Sequence, residues 1–100
     1  MPGQFAAEPY MHVLEMPLKD TEYSYTMQGC SYFSLQTRQN VDVRISTSAN
    51  CVVTSTNPYW SFKKNWAASS AASLWGSATV TLYFAHDENS QVDIEFWMWR

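Results

Sequence analysis

Glycine and cysteine are scarce in this 100-residue chain, which contains three glycines and two cysteines. Three glycines are too few for a glycine-rich loop that cradles phosphates. The possible zinc ligands are Cys30, Cys51, His12 and His86. They lack the spacing of a four-ligand zinc site, so we expect no metal and no cofactor. A disulfide between the two cysteines would contribute about 3 kcal/mol, but a cytosolic origin favours two reduced, half-buried thiols.

Charged residues make up only 15% of the chain, against about a quarter in an average protein. The net charge is −3, and the two adjacent basic residues Lys63 and Lys64 do not form a patch. We therefore exclude nucleic acid as a partner, because phosphate binding needs clustered Lys and Arg. No apolar run approaches the ~18 residues of a membrane helix. The N-terminus also lacks a signal-peptide pattern, so we expect no membrane association and synthesis in a cytosol.

Aromatic residues are abundant, with five Trp, six Tyr and five Phe. Sixteen large rings exceed what the core of one small domain normally needs. Tyr and Trp are favoured at buried protein contacts, because their rings are apolar and their polar tips reach water or a partner. We therefore expect several of these rings to lie on the surface and to take part in binding.

Apolar and polar residues alternate with a period of two from residue 22 onward, which predicts half-buried antiparallel strands. The predicted strands lie at residues 23–27, 33–35, 41–45, 80–84 and 92–98, with shorter ones at 51–53 and 59–62. Gln39 and Asn40 predict a tight hairpin, and residues 63–77 predict a loop. The spacing is typical of an all-β antiparallel β-sandwich or jelly-roll-like domain of about six to eight strands over residues 22–100.

Residues 1–21 differ from this pattern. Pro2, Pro9 and Pro17 break any helix and favour extended backbone. The segment also carries apolar residues, including Phe5, Tyr10, Val13 and Leu14, and is too apolar for a purely disordered tail. An extended N-terminal arm that docks on a neighbouring subunit fits these features, and so does a strand of the chain's own sheet. We prefer the arm.

Asp93 and Glu95 are the strongest catalytic candidates in the sequence. They lie two apart on one face of the last strand, with Cα atoms about 6.6 Å apart, near the separation of glycosidase carboxylates. The alternative is a polar strand face paired with Arg38 or Arg44. We prefer this alternative because carboxylates are normally exposed and a chain this short has little material for a cleft. No Gly-x-Ser-x-Gly turn supplies a serine nucleophile either. We therefore expect no enzymatic activity and no catalytic residues.

Trp97 and Trp99 share the face of Asp93 and Glu95, so the last strand is apolar on both faces at its end. Such a strand is usually covered on both faces. Either another chain or the folded-back arm would supply the second cover. The predicted protein-interface residues are Phe5, Tyr10, Val13, Leu14, Trp66, Trp75, Trp97 and Trp99. A further hypothesis makes Trp60, Trp66 and Trp75 a stacking platform for sugars.

Several strand motifs occur in order between residues 16 and 99. They are Met-Pro-Leu at 16–18, Tyr-Ser-Tyr at 23–25, Leu-Gln-Thr-Arg at 35–38, Val-Asp-Val-Arg-Ile-Ser at 41–46, Tyr-Trp-Ser-Phe-Lys at 59–63, Thr-Leu-Tyr-Phe at 81–84 and Val-Asp-Ile-Glu-Phe-Trp at 92–97. This order resembles small β-sandwich proteins of tailed bacteriophages, found among virion structural and capsid-decorating (cement) proteins. The Ala/Ser-rich loop and the heavy tryptophan content depart from that pattern.

The resemblance implies a non-enzymatic virion structural protein, most specifically a capsid cement protein that clamps neighbouring capsid subunits. Its partners would be its own copies, as a trimer, and the major capsid protein. It would be made in the host cytoplasm and would lie on the capsid surface. The alternatives are a phage tail or head–tail connector subunit and, from another class, a carbohydrate-binding β-sandwich module.

Overall fold

The computed structural model describes residues 9–53, 58–71 and 79–99, which form eight β-strands. In chain order these are β1 (Pro9–Met16), β2 (Tyr23–Met27), β3 (Tyr32–Thr37), β4 (Val43–Ser46), β5 (Trp60–Phe62), β6 (Ala67–Ala71), β7 (Val80–Ala85) and β8 (Val92–Trp99).

Two four-stranded antiparallel sheets pack face to face. Sheet A has the strand order β1-β8-β3-β6, and sheet B has the order β2-β7-β4-β5. The period-two pattern explains this arrangement, because alternate side chains point to one face of each sheet and that face is apolar. The predicted all-β sandwich is therefore confirmed.

The core lies between the inner faces of the two sheets. Its largest fully buried side chains include Phe62, Phe84, Phe96, Met16, Met27, Ile94 and Met98. The rings of Phe84 and Phe96 meet edge to face across the two sheets, with centroids 5.7 Å apart. Each such side chain contributes about 1.5–3 kcal/mol when it is removed from water, so the core supplies most of the favourable free energy.

The buried His86 ring ties the end of β1 to the connection between β7 and β8. Its Nδ1 accepts the Glu88 backbone N–H at 3.0 Å, so the ring proton lies on Nε2. That Nε2–H donates to the Met16 carbonyl oxygen at 2.9 Å. Both ring nitrogens are therefore satisfied, which lets a polar ring occupy the interior.

The structure corrects the prediction of a separate arm over residues 1–21. β1 is an edge strand of sheet A and pairs with β8 along its whole length, from Pro9 opposite Trp99 to Met16 opposite Val92. In the described part of this segment, Pro9 is the first strand residue and Pro17 follows the strand directly, and a missing N–H is tolerated at both places. Part of the segment assigned to the arm thus belongs to the sandwich, whereas residues 1–8, including Phe5, lie outside the described residues.

Three local predictions were wrong. Residues 51–53 do not form a strand, and Val52 and Val53 lie in a turn. Within the predicted loop at 63–77, Ala67–Ala71 forms strand β6 and pairs with β3. Gln39 and Asn40 connect β3 of sheet A to β4 of sheet B, so they do not close a hairpin. The five longer predicted strands are present, and Cys30 and Cys51 are buried free thiols.

Candidate functional site

The outer face of sheet A carries an apolar surface on strands β1, β8 and β3. The register places Met11 opposite Trp97, and both Pro9 and Tyr32 opposite Trp99. Side chains of directly opposed residues lie on the same face of a sheet. We call this surface the tryptophan face, and it consists of Pro9, Met11, Val13, Tyr32, Trp97 and Trp99.

The large side chains of the tryptophan face are substantially open to solvent. Met11 is 72% exposed, Trp97 is 47% exposed and Tyr32 is 43% exposed. The rings of Trp97 and Trp99 stack with centroids 6.0 Å apart and planes inclined by 29°. This mutual stacking orders the two rings while leaving a wide apolar surface for a partner.

The opposite end of the same sheet face is polar. The Arg38 Nε donates to Glu95 Oε2 at 2.8 Å, and the Gln36 side-chain amide donates to Glu95 Oε1 at 2.9 Å. The predicted pairing of the β8 carboxylates with Arg38 is therefore confirmed. The other candidate, Arg44, instead pairs with Asp20 at 3.0 Å.

Asp93 is buried beside this network and its oxygens are occupied. The side-chain amide of Gln91 donates to Oδ1 at 2.9 Å, and that of Gln39 donates to Oδ2 at 3.3 Å. Arg38 adds a longer contact, with its Nη1 4.0 Å from Asp93 Oδ2. The carboxylate thus contacts three side chains near the C-terminal end of β3.

Glu95 is not suited to the general-acid role in a glycosidase pair. Hydrogen bonds from Gln36 first, and then from Arg38, lower the pKa of Glu95 below its ordinary value. A general acid needs the opposite, a raised pKa that keeps the proton on the carboxyl group near neutral pH. The hydrogen bonds of Glu95 and Asp93 with Gln36, Arg38 and Gln39 connect β8 to β3 and its flanking residues.

A groove of about 290 Å³ runs between the apolar and polar ends of this sheet face. Met11, Val13 and Trp97 line one side of the groove. Small residues, including Ser34 and Ala67, form its opposite part on β3 and β6. The groove results from the difference in size between the large side chains on one side and the small side chains on the other. Its shape suits an apolar anchor residue of a partner protein.

Three of the predicted interface residues, Val13, Trp97 and Trp99, meet on the tryptophan face. Tyr10 and Leu14 do not, because they point to the inner face of β1 and pack against the core. Phe5 and Trp75 lie outside the described residues.

Met11 and Tyr32 belong to the tryptophan face but were missed in the sequence. The sequence signal for Met11 was its spacing of two residues from Val13, which places both side chains on the same face of a strand. Tyr32 could be placed only once the pairing of β3 with β8 was known.

Trp66 lies beside Trp60 instead, at the edge formed by β5. The two residues are 48% and 49% exposed, and their ring centroids are 6.3 Å apart with planes inclined by 36°. Phe62 packs edge-on against both rings. This second aromatic cluster contains two of the three residues predicted as a sugar platform.

Within residues 9–53, 58–71 and 79–99, no group of three His, Cys, Asp or Glu side chains is arranged to hold a metal ion. The same part of the chain contains no helix that could cross a membrane. No family model, curated protein or solved structure matches the chain.

Proposed function

We propose that the protein is a non-enzymatic structural protein of a virus particle, a capsid cement protein that uses the tryptophan face to hold protein subunits together. The observation that carries the proposal is the exposed stack of Trp97 and Trp99 beside the exposed Met11. Water-exposed apolar patches of this kind typically mark protein interaction sites.

The anatomy of the surface supports a protein partner. Trp, Tyr and Met are enriched at protein interfaces, and a ring of polar contacts usually surrounds the apolar centre. Here the ion pair of Arg38 and Glu95 borders the groove beside Trp97. A partner can therefore cover the apolar centre while these charges stay near the interface edge, where their desolvation costs little.

The virion assignment combines this face with the motif resemblance between residues 16 and 99. The partners would be further copies of the chain, as a trimer, and the major capsid protein. Many copies on one shell would make a strong clamp from individually weak contacts. The protein would be made in the host cytoplasm and would lie on the capsid surface.

The test is co-sedimentation of the full chain with shells of the major capsid protein encoded in the same genome. Trp97→Ser should weaken binding by at least about tenfold, because central tryptophans are binding hot spots. Trp66→Ser is the matched control, since its ring is equally exposed but lies away from the tryptophan face, and it should bind normally. Unchanged binding by Trp97→Ser would rule out this face as the capsid-binding surface.

Oligomeric state gives a second readout. Sedimentation velocity of the wild type should show a trimer, or a trimer should form on the shell. A phage tail or connector role would instead give ring stoichiometry. A monodisperse monomer that does not bind shells would refute the cement assignment.

Carbohydrate binding is a second candidate, favoured by the exposed pair Trp60 and Trp66. Exposed aromatic rings stack on the apolar faces of sugars. Glycan-array binding that is lost in Trp66→Ala but kept in Trp97→Ser would support this function over the first. Absence of glycan binding by the full chain would remove it.

A further inference from the structure

A lateral cleft of about 500 Å³ opens between the two sheets at the edge formed by β5 and β6. Sheet A contributes Phe33, Leu35 and Ala68 to its lining, and sheet B contributes Ile45, Leu82 and Trp60. Tyr59 and Trp60 are the exposed large rings of the lining, so they form its mouth. The cleft therefore lies on the inner faces of the sheets, away from the tryptophan face on the outside of sheet A.

The cleft exists because β6 presents small side chains to the interior. The register places Ala68 opposite Leu35 and Ser70 opposite Phe33, and both partners are core residues. Packed sheets stand about 10 Å apart, and an alanine cannot reach halfway across that space. On the opposite side of the sandwich, Met16 and Met27 are fully buried.

We infer that this cleft binds an uncharged, largely apolar small molecule, a function separate from the proposed capsid binding. The volume falls within the range of about 300–1,000 Å³ that is typical of small-molecule sites. None of the described residues that line the cleft is charged, so a charged ligand would lose its hydration without a compensating ion pair. The hydroxyls of Ser46 and Thr47 at the lining suit one polar group on the ligand.

A small molecule fits this cleft better than a protein surface does. The floor residues Phe33, Leu35, Ile45 and Leu82 are all buried, so an occupant must enter between the edge strands to touch them. A flat protein face cannot do so, because the sheet edges meet it first. The protruding rings of the tryptophan face have the opposite shape, which suits a protein partner.

The test is a fluorescence titration of the full chain with N-phenyl-1-naphthylamine, an uncharged apolar probe. We expect saturable binding of one probe per chain. Ala68→Leu fills the cleft from inside and should weaken binding by at least about tenfold. Ala67→Leu is the matched control: it makes the same change on the same strand but on the outer face, where Ala67 lines the groove beside the tryptophan face, and probe binding in the cleft should equal that of the wild type.

Folding of each variant is checked by thermal melting followed by circular dichroism. If Ala68→Leu does not fold, Ala68→Val makes a smaller insertion with a residue that strands favour, and it should weaken binding to an intermediate degree. Wild-type affinity in a folded Ala68 variant would overturn the inference. So would loss of binding in Trp97→Ser with Ala68→Leu unaffected, because the probe would then be on the tryptophan face.

A second copy of the chain is the alternative occupant of the cleft. In that case, Ala68→Leu would change the sedimentation coefficient, and the wild type would give no saturable probe signal. That combination would overturn the small-molecule inference. Because the capsid test uses Trp97 and this one uses Ala68, failure of either proposal leaves the other intact.

Discussion

The two faces of strand β8 are both apolar at their C-terminal end, but they have different surroundings. On the inner face, Ile94, Phe96 and Met98 are fully buried between the sheets. On the outer face, Trp97 is half exposed and stacks on Trp99. The same kind of residue therefore stabilises the fold on one face and stays available for binding on the other.

The outer face itself changes character along the strand. Asp93 and Glu95 bind polar side chains that reach β8 from β3 and its flanking residues, whereas the two tryptophan rings stack on each other. The side chains of Asp93 and Glu95 are thus held by hydrogen bonds, whereas the part of the face with Trp97 and Trp99 leaves apolar area exposed to solvent. We expect mutations at Phe96, Asp93 and Glu95 of β8 to change stability by clearly different amounts.

The largest effect is expected from Phe96→Ala. The Phe96 ring packs against Phe84 at 5.7 Å and Tyr25 at 4.8 Å, and its removal leaves a cavity. The free energy of unfolding should fall by about 3–5 kcal/mol. Urea denaturation measures this, with Trp97→Ala on the next residue as the control, expected to change stability by only about 1 kcal/mol. Equal losses in both variants would show that the two faces are not distinct.

A smaller effect is expected from Asp93→Asn. The side-chain amides of Gln39 and Gln91 both donate to the carboxylate, so an asparagine amide would place one donor against another. The free energy of unfolding should fall by about 1–3 kcal/mol. The exposed Asp87→Asn change is the control, expected to stay within about 0.5 kcal/mol of the wild type. A neutral result for Asp93→Asn would mean that this network adds no stability.

The smallest effect is expected at Glu95 in acid. Because its pKa is lower in the folded protein, Glu95 stabilises the fold above its unfolded value of about 4.3. That contribution is lost as the pH falls through the lowered folded pKa. In urea denaturation, the stability difference between wild type and Glu95→Gln should therefore shrink as the solution is acidified below about pH 4.3.

Gln36 is the leading cause of that shift, so Gln36→Ala should raise the pKa of Glu95 toward its ordinary value. An NMR titration of the Glu95 carboxyl carbon measures this directly. Arg38 still donates to the carboxylate in this variant, so a part of the lowering should remain. A titration curve identical to that of the wild type would contradict the assigned cause.

The sequence predicted the longer strands and the two-faced character of β8, because the alternation of side chains is a local property of extended backbone. It also predicted that a cross-strand arginine would pair with the β8 carboxylates. The sequence placed β1 in a separate arm, whereas it pairs with β8, and Tyr10 and Leu14, which were predicted to lie at an interface, pack against the core. β6 was missed because Ala67–Ala71 has no apolar alternation and is held by backbone pairing with β3.

The amino-acid sequence by itself thus determined which residues of a strand share a face, since successive Cβ atoms must point to opposite sides of an extended chain. Only the tertiary structure decided which strands are neighbours and which face looks outward. Met11 meets Trp97, and Tyr32 meets Trp99, through hydrogen bonding between distant segments. The cleft beside β6 also depends on the tertiary structure. A small side chain such as alanine leaves a gap there because it does not reach the opposite sheet.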